Sequence, residues 1–74
     1  MQLSQGEIML ARNIKKFRKK FKLTQEGLAR KADLSYNTII KLEGGTIADP
    51  RMETLKKLAV AFNVSLDELV GIKV

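Results

Sequence analysis

A chain of 74 residues carrying a formal net charge of +6 has room for one small domain, because a chain of this size buries only roughly 60% of its unfolded surface. It holds no Cys and no His, which excludes disulfides, thiol catalysis, a structural zinc site and the ordinary near-neutral acid–base group. No apolar run nears the roughly 18 residues of a membrane span, and Met1 to Leu10 lacks the basic start and apolar core of a signal peptide, so the expectation is a soluble, cytoplasmic protein without a membrane partner.

The spacing of apolar residues predicts an all-α fold, a compact bundle of five short helices occupying residues 1–74 as a single domain. The first helix is read from about Glu7 to Phe21, with Ala11, Ile14, Phe17 and Phe21 along one face and an almost wholly basic opposite face. From Arg12 to Lys31 nine basic residues (Arg12, Lys15, Lys16, Arg18, Lys19, Lys20, Lys22, Arg30, Lys31) stand against one acid, Glu26, whereas Leu42 to Val74 is near neutral. Such a run fits a solvated helix face as well as it fits a surface for a polyanion. What precedes it, Met1 to Leu10, either extends the helix toward a partner or stays disordered, residues 1–6 above all.

Helices two (about 24–32) and three (about 35–43) are joined by a turn too short for anything else. Thr24 and Ser35 are N-caps, each able to accept a bond from an orphan amide of the turn that follows. Leu23 with Leu28, and Leu34 with Ile39, have the spacing of hydrophobic staples. Asp33, which tolerates a left-handed backbone, holds the turn, and Gly44 and Gly45 supply a left-handed stop. This pattern over Thr24–Gly44 is a helix-turn-helix signature. Helix four is read from near Asp49 and Pro50, a cap followed by a first-turn proline, with Met52, Leu55, Leu58, Ala59 and Phe62 at helical spacing, and it ends at Asn63. Helix five opens on a capping box, Ser65 with Glu68, with Val64 and Leu69 as a third staple, and Gly71 stops it. The core is expected around Phe17, Phe21, Leu28, Ile39, Leu42, Leu58 and Phe62.

These segments together resemble a lambda-repressor-like helix-turn-helix domain of the Xre/Cro family, over about Ala11 to Val70. The residues carrying the resemblance are the basic first helix with Arg18, then Leu23-Thr24-Gln25-Glu26, Ser35-Tyr36-Asn37-Thr38-Ile39, Lys41-Leu42-Glu43-Gly44-Gly45 and Leu66-Asp67-Glu68-Leu69. The resemblance implies that helix three enters the major groove of double-stranded DNA while the start of helix two rests on phosphate. Base contacts are then expected from Tyr36, Asn37, Thr38 and Lys41: Asn37 bidentate to adenine, Lys41 on guanine acceptors, Thr38 on a thymine methyl or phosphate, Tyr36 on bases or backbone. The bland reading of each is an exposed polar residue without a partner. Phosphate contacts are expected from Gln25, Arg18, Ser35 and Thr46, with Lys15, Lys19, Lys22 and Arg51 weaker candidates. An Arg18–Glu43 salt bridge, expected to be partly exposed and to stabilise by about 0 to 1 kcal/mol, would orient helix one against helix three.

Three positions depart from the family pattern. Gly27 stands where a Glu would complete a capping box with Thr24 and costs helix two about 1 kcal/mol. Asp33 replaces the usual turn Gly and brings a negative charge near the expected DNA surface. Ile40 falls where a polar residue is common; it contacts a thymine methyl or a protein partner, or is an isolated apolar surface residue.

One short recognition helix reads few base pairs, so a homodimer on a palindrome with half-sites roughly 34 Å apart is expected. Val64, Leu66, Val70, Ile72 and Val74 are candidates for its interface, with core packing an equal alternative for Leu66. The function expected is a sequence-specific transcriptional regulator, a small repressor of a bacterial, phage or mobile-element operator. The alternative is an antitoxin or other protein-binding module whose DNA binding is autoregulatory, with a toxin or an effector domain as the unknown protein partner. No catalytic residues, metal ligands or cofactors are expected, since no nucleophile–base pair, phosphate-cradling glycine loop or metal cluster exists to recruit.

Overall fold

The computed structural model describes the backbone of residues 5–47 and 50–71, and side chains from Met9 onward within those ranges. The chain folds as α1 (Gln5–Lys20), α2 (Gln25–Ala32), α3 (Tyr36–Glu43), α4 (Met52–Phe62) and α5 (Leu66–Val70). Among the described residues there is no strand, and no helix is long and apolar enough to cross a membrane.

Local chemistry sets most of the helix boundaries. Thr24 Oγ1 accepts the Gly27 amide at 2.9 Å, and Ser35 Oγ accepts the Thr38 amide at 3.1 Å. At α5, Ser65 Oγ accepts the Glu68 amide at 3.1 Å while Glu68 Oε1 accepts the Ser65 amide at 3.4 Å, a reciprocal capping box. Asp33 and Asn63 close α2 and α4 in the left-handed region, at φ 56° and 55°, a conformation that short polar side chains tolerate.

Four boundaries and contacts differ from the sequence reading. α1 begins at Gln5 rather than Glu7 and stops at Lys20, where Lys22 turns left-handed at φ 56°. Phe21 is therefore past the helix and 41% exposed, not a core residue. Its ring lies over Phe62, with centroids 6.1 Å apart, and the Lys31 ammonium sits 4.8 Å from its centroid, so Phe21 roofs the core from outside. α4 begins at Met52, not near Asp49; Arg51 holds an extended backbone at ψ 147° and occupies the N-cap without a side-chain cap bond. Pro50 thus precedes the helix, and Asp49 lies outside the described residues. The stop of α3 is made by one glycine: Gly44 is right-handed at φ −80°, and Gly45 takes the left-handed turn at φ 71°.

Ile14, Leu28, Ile39, Leu58, Phe62 and Leu69 form the fully buried centre, with Leu10, Leu42 and small Ala residues around them. Phe17 is only partly buried and meets Phe62 at 5.4 Å between centroids. α3 packs on α1 and α2, while α4 packs on α2 and α5, and α1 also meets α5. The α1–α5 contact is tied by Asn13, whose side-chain amide donates to the Leu69 carbonyl at 3.0 Å and the Glu68 carbonyl at 3.4 Å. Of the residues expected at a dimer surface, Val64, Leu66 and Val70 are partly buried and pack against the core. Ile72 and Val74 lie outside the described residues, as do residues 1–4. Among the described residues Val60, on α4, is the large apolar side chain left most open, at 80% exposure.

Candidate nucleic-acid interface

α3 is amphipathic in a way that sorts its eight residues. Ile39, Leu42 and Glu43 are buried against α1 and α2. Tyr36, Asn37, Ile40 and Lys41 are exposed on the other side. Residues four apart lie one above another on a helix, so this outward face has two rows. Asn37 and Lys41 form a polar row, and Tyr36, Ile40 and Gly44 form a neighbouring apolar one.

The other expected contact residues are engaged within the protein. Thr38 is partly buried, and its hydroxyl lies 2.7 Å from that of Ser35. Ser35 therefore caps α3 through the Thr38 amide and is bonded to the Thr38 hydroxyl as well, and Thr38 sits aside from the Asn37–Lys41 row. Thr38 shares the lining of a cleft with Ile47, Pro50, Arg51 and Thr54. Thr54 enters this neighbourhood without any local sequence signal, since only the return of α4 brings it there. Thr46 donates its hydroxyl to the Lys41 carbonyl at 3.1 Å, and its amide bonds the same oxygen at 3.0 Å. Thr46 thus satisfies the C-terminal end of α3.

Arg18 and Glu43 form the rigid base of the site. Arg18 Nε donates to Glu43 Oε2 at 2.7 Å and Nη2 to Glu43 Oε1 at 3.1 Å, while Nη1 donates to the Leu23 carbonyl at 2.9 Å. The Glu43 side chain is 2% exposed and that of Arg18 16%. This corrects the expectation of a partly exposed pair: the fork geometry of guanidinium and carboxylate is realised in a nearly closed environment. Three of the five Arg18 N–H groups are spent on Glu43 and Leu23. Gln25, partly buried at the first turn of α2, donates to Glu43 Oε1 at 3.4 Å. One carboxylate therefore links α1, the α2 start and α3. The Leu23 carbonyl is a participant that sequence reasoning missed, because a main-chain acceptor leaves no trace in residue type.

The charge around the face is asymmetric. Arg12, Lys15, Lys16, Lys19, Lys20 and Lys22 are all exposed on or just after α1. Asp33, whose charge raised concern for DNA binding, has its carboxylate 3.6 Å from the Lys57 ammonium, which also donates to the Asp33 carbonyl at 3.2 Å. Lys57 stands on α4 and is shared with Glu53, 3.7 Å away.

The helix-turn-helix family profile matches residues 14–69, most of this chain and all of α2 and α3. Two uncharacterised HTH-type transcriptional regulators of Archaeoglobus fulgidus are each 38% identical to the chain over 56 residues. The shared segment covers 76% of this chain and 78% and 79% of the two relatives. No solved structure matches with significance.

Proposed function

We propose, since this chain belongs to the lambda-repressor-like helix-turn-helix family and is a DNA-binding transcriptional regulator, that it acts as a homodimeric repressor reading a palindromic operator through the major groove. The observation that carries this reading is the polar row of Asn37 and Lys41, exposed on a helix whose opposite side is anchored by the Arg18–Glu43 pair. An anchored helix presents these two side chains from a fixed backbone, so binding orders the side chains alone and not the helix that carries them. Asn37 reads adenine through N6 and N7, and Lys41 reads guanine through O6 and N7. The basic α1 surface supplies phosphate attraction that is blind to sequence. Gln25 and Arg18 act mainly by holding the α2 start and α3 in register, with phosphate left to their remaining N–H groups. Extents of 29 × 27 × 21 Å suit two copies side by side on half-sites roughly 34 Å apart. Occupying a site that polymerase needs requires no catalytic step.

The test is selection of bound duplexes from a random pool with the wild type, Asn37→Ala and Lys41→Ala, at several salt concentrations. A palindromic motif that relaxes at different positions in the two variants supports the operator reader. Weak, motif-free and steeply salt-dependent binding overturns it and turns the search toward a protein partner.

A further inference from the structure

We infer that Ile40 reads the C5-methyl group of a pyrimidine, thymine in ordinary DNA, and so contributes to operator choice; the inference rests on the major-groove reading above. Ile40 is 40% exposed and Tyr36 44%. Both stand on the outward face of α3, beside Asn37 and Lys41, with exposed Gly44 one turn beyond. This location separates Ile40 from the open apolar side chains off α3: Met9 belongs to α1, Phe21 lies just past its end, and Met52 and Val60 belong to α4. A surface apolar residue alone means little. One in the middle of the face that enters the groove has a defined counterpart there, because the pyrimidine C5-methyl is the apolar group that base pairs display in the major groove.

The row arrangement also fixes where the methyl lies. Ile40 precedes Lys41 by one residue and follows Asn37 by three, so at 1.5 Å of rise per residue the three side chains span about the length of one to two base steps. The methyl-bearing pyrimidine therefore belongs to a base pair beside those read by Asn37 and Lys41. Gly44 continues the row without a side chain, which leaves the methyl room to approach the helix from the C-terminal side of Ile40. The expected contribution is that of one buried methyl group, about fourfold in affinity.

The experiment begins from the selected motif. Each thymine is replaced singly by uracil, which removes the methyl and leaves every hydrogen-bonding edge intact, and affinity is measured for the wild type, Ile40→Val and Ile40→Ser. The expected result is one position per half-site, adjacent to those relaxed by Asn37→Ala and Lys41→Ala, where uracil costs the wild type about fourfold. Ile40→Val keeps most of that loss and Ile40→Ser is indifferent to the replacement. If the motif carries cytosine at that step, a similar gain on its C5-methylation in the wild type, absent from Ile40→Ser, supports the same contact with 5-methylcytosine as the source. A motif with no methyl-sensitive position, or a sensitivity that Ile40→Ser retains, overturns the inference while leaving the operator reading standing. Absence of any motif overturns both.

Discussion

The Arg18 guanidinium holds the Glu43 carboxylate through two hydrogen bonds, at 2.7 and 3.1 Å, across 25 residues of sequence. Because the side chains of Arg18 and Glu43 are only 16% and 2% exposed, removing either partner leaves the other a poorly hydrated charge, whereas removing both removes the problem. Glu43→Ala is expected to cost about 3–5 kcal/mol, a large part of the stability of so small a domain. The double variant Arg18→Met/Glu43→Leu should recover most of that loss. Urea unfolding followed by circular dichroism checks both. Equal stability of Glu43→Ala and wild type would show that the pair is replaceable by water.

Phe21 and Phe62 stack on one another but differ in depth, 41% against 1% exposed. Phe62→Ala is expected to cost about 3–5 kcal/mol, in the range for a fully buried aromatic. Phe21→Ala should cost clearly less, since water already reaches that ring and Lys31 keeps its stem on the surface. Thermal unfolding midpoints of the two variants give the order, and a reversed order would mean that the roof over Phe62 matters more than the core beneath it.

The same pair marks what could and could not be read from the residues alone. Features written within one turn of helix were legible: Thr24, Ser35 and Ser65 cap their own helices, and Asp33 and Asn63 end theirs, through bonds spanning three to five residues. Features decided by a backbone turn or a tertiary contact that residue type does not announce were not. Phe21 continued the apolar spacing of α1, yet the left-handed Lys22 ended the helix and turned the ring outward. The Asp49-Pro50 pair resembled a helix start, yet the extended backbone of Arg51 delays α4 to Met52. At the candidate interface, residue type pointed to Thr38 and Thr46 as free hydroxyls, and only the fold shows that Thr38 is bonded to the Ser35 hydroxyl and Thr46 to the Lys41 carbonyl. Polar residues suited to binding are also those suited to capping, and composition does not separate the two uses.

Asp33 combines a left-handed backbone with a tether to Lys57. Asp33→Val should cost about 1–2 kcal/mol, the penalty of a side chain with Cβ in that conformation and no local bond to offset it. Asp33→Gly should be close to neutral, since relief of the backbone compensates for the lost surface ion pair. Lys57→Ala should cost no more than about 1 kcal/mol, because the Asp33 carboxylate is almost fully exposed. Denaturant midpoints measured at low and high salt separate the two effects. The Lys57 contribution should fade with salt and the Asp33→Val penalty should not.

Two flanks of α1 are distinguished by what they touch. Arg18 marks the flank facing α3, through Glu43, and Asn13 marks the flank facing α5, through Leu69. Lys15 precedes Arg18 by three residues and lies on the first flank; Lys16 follows Asn13 by three and lies on the second. A duplex seated on α3 is therefore within reach of Lys15 and not of Lys16, although both are exposed and equally charged. Lys15→Gln should reduce the slope of log affinity against log salt by about 1, the signature of one lost phosphate contact, and weaken binding alike on operator and unrelated DNA. Lys16→Gln should leave the slope within error of wild type. Titrations by fluorescence anisotropy across a salt series decide the matter. Equal slopes for the two variants would mean that the charge of α1 acts as a diffuse field, with no flank of the helix laid against the backbone.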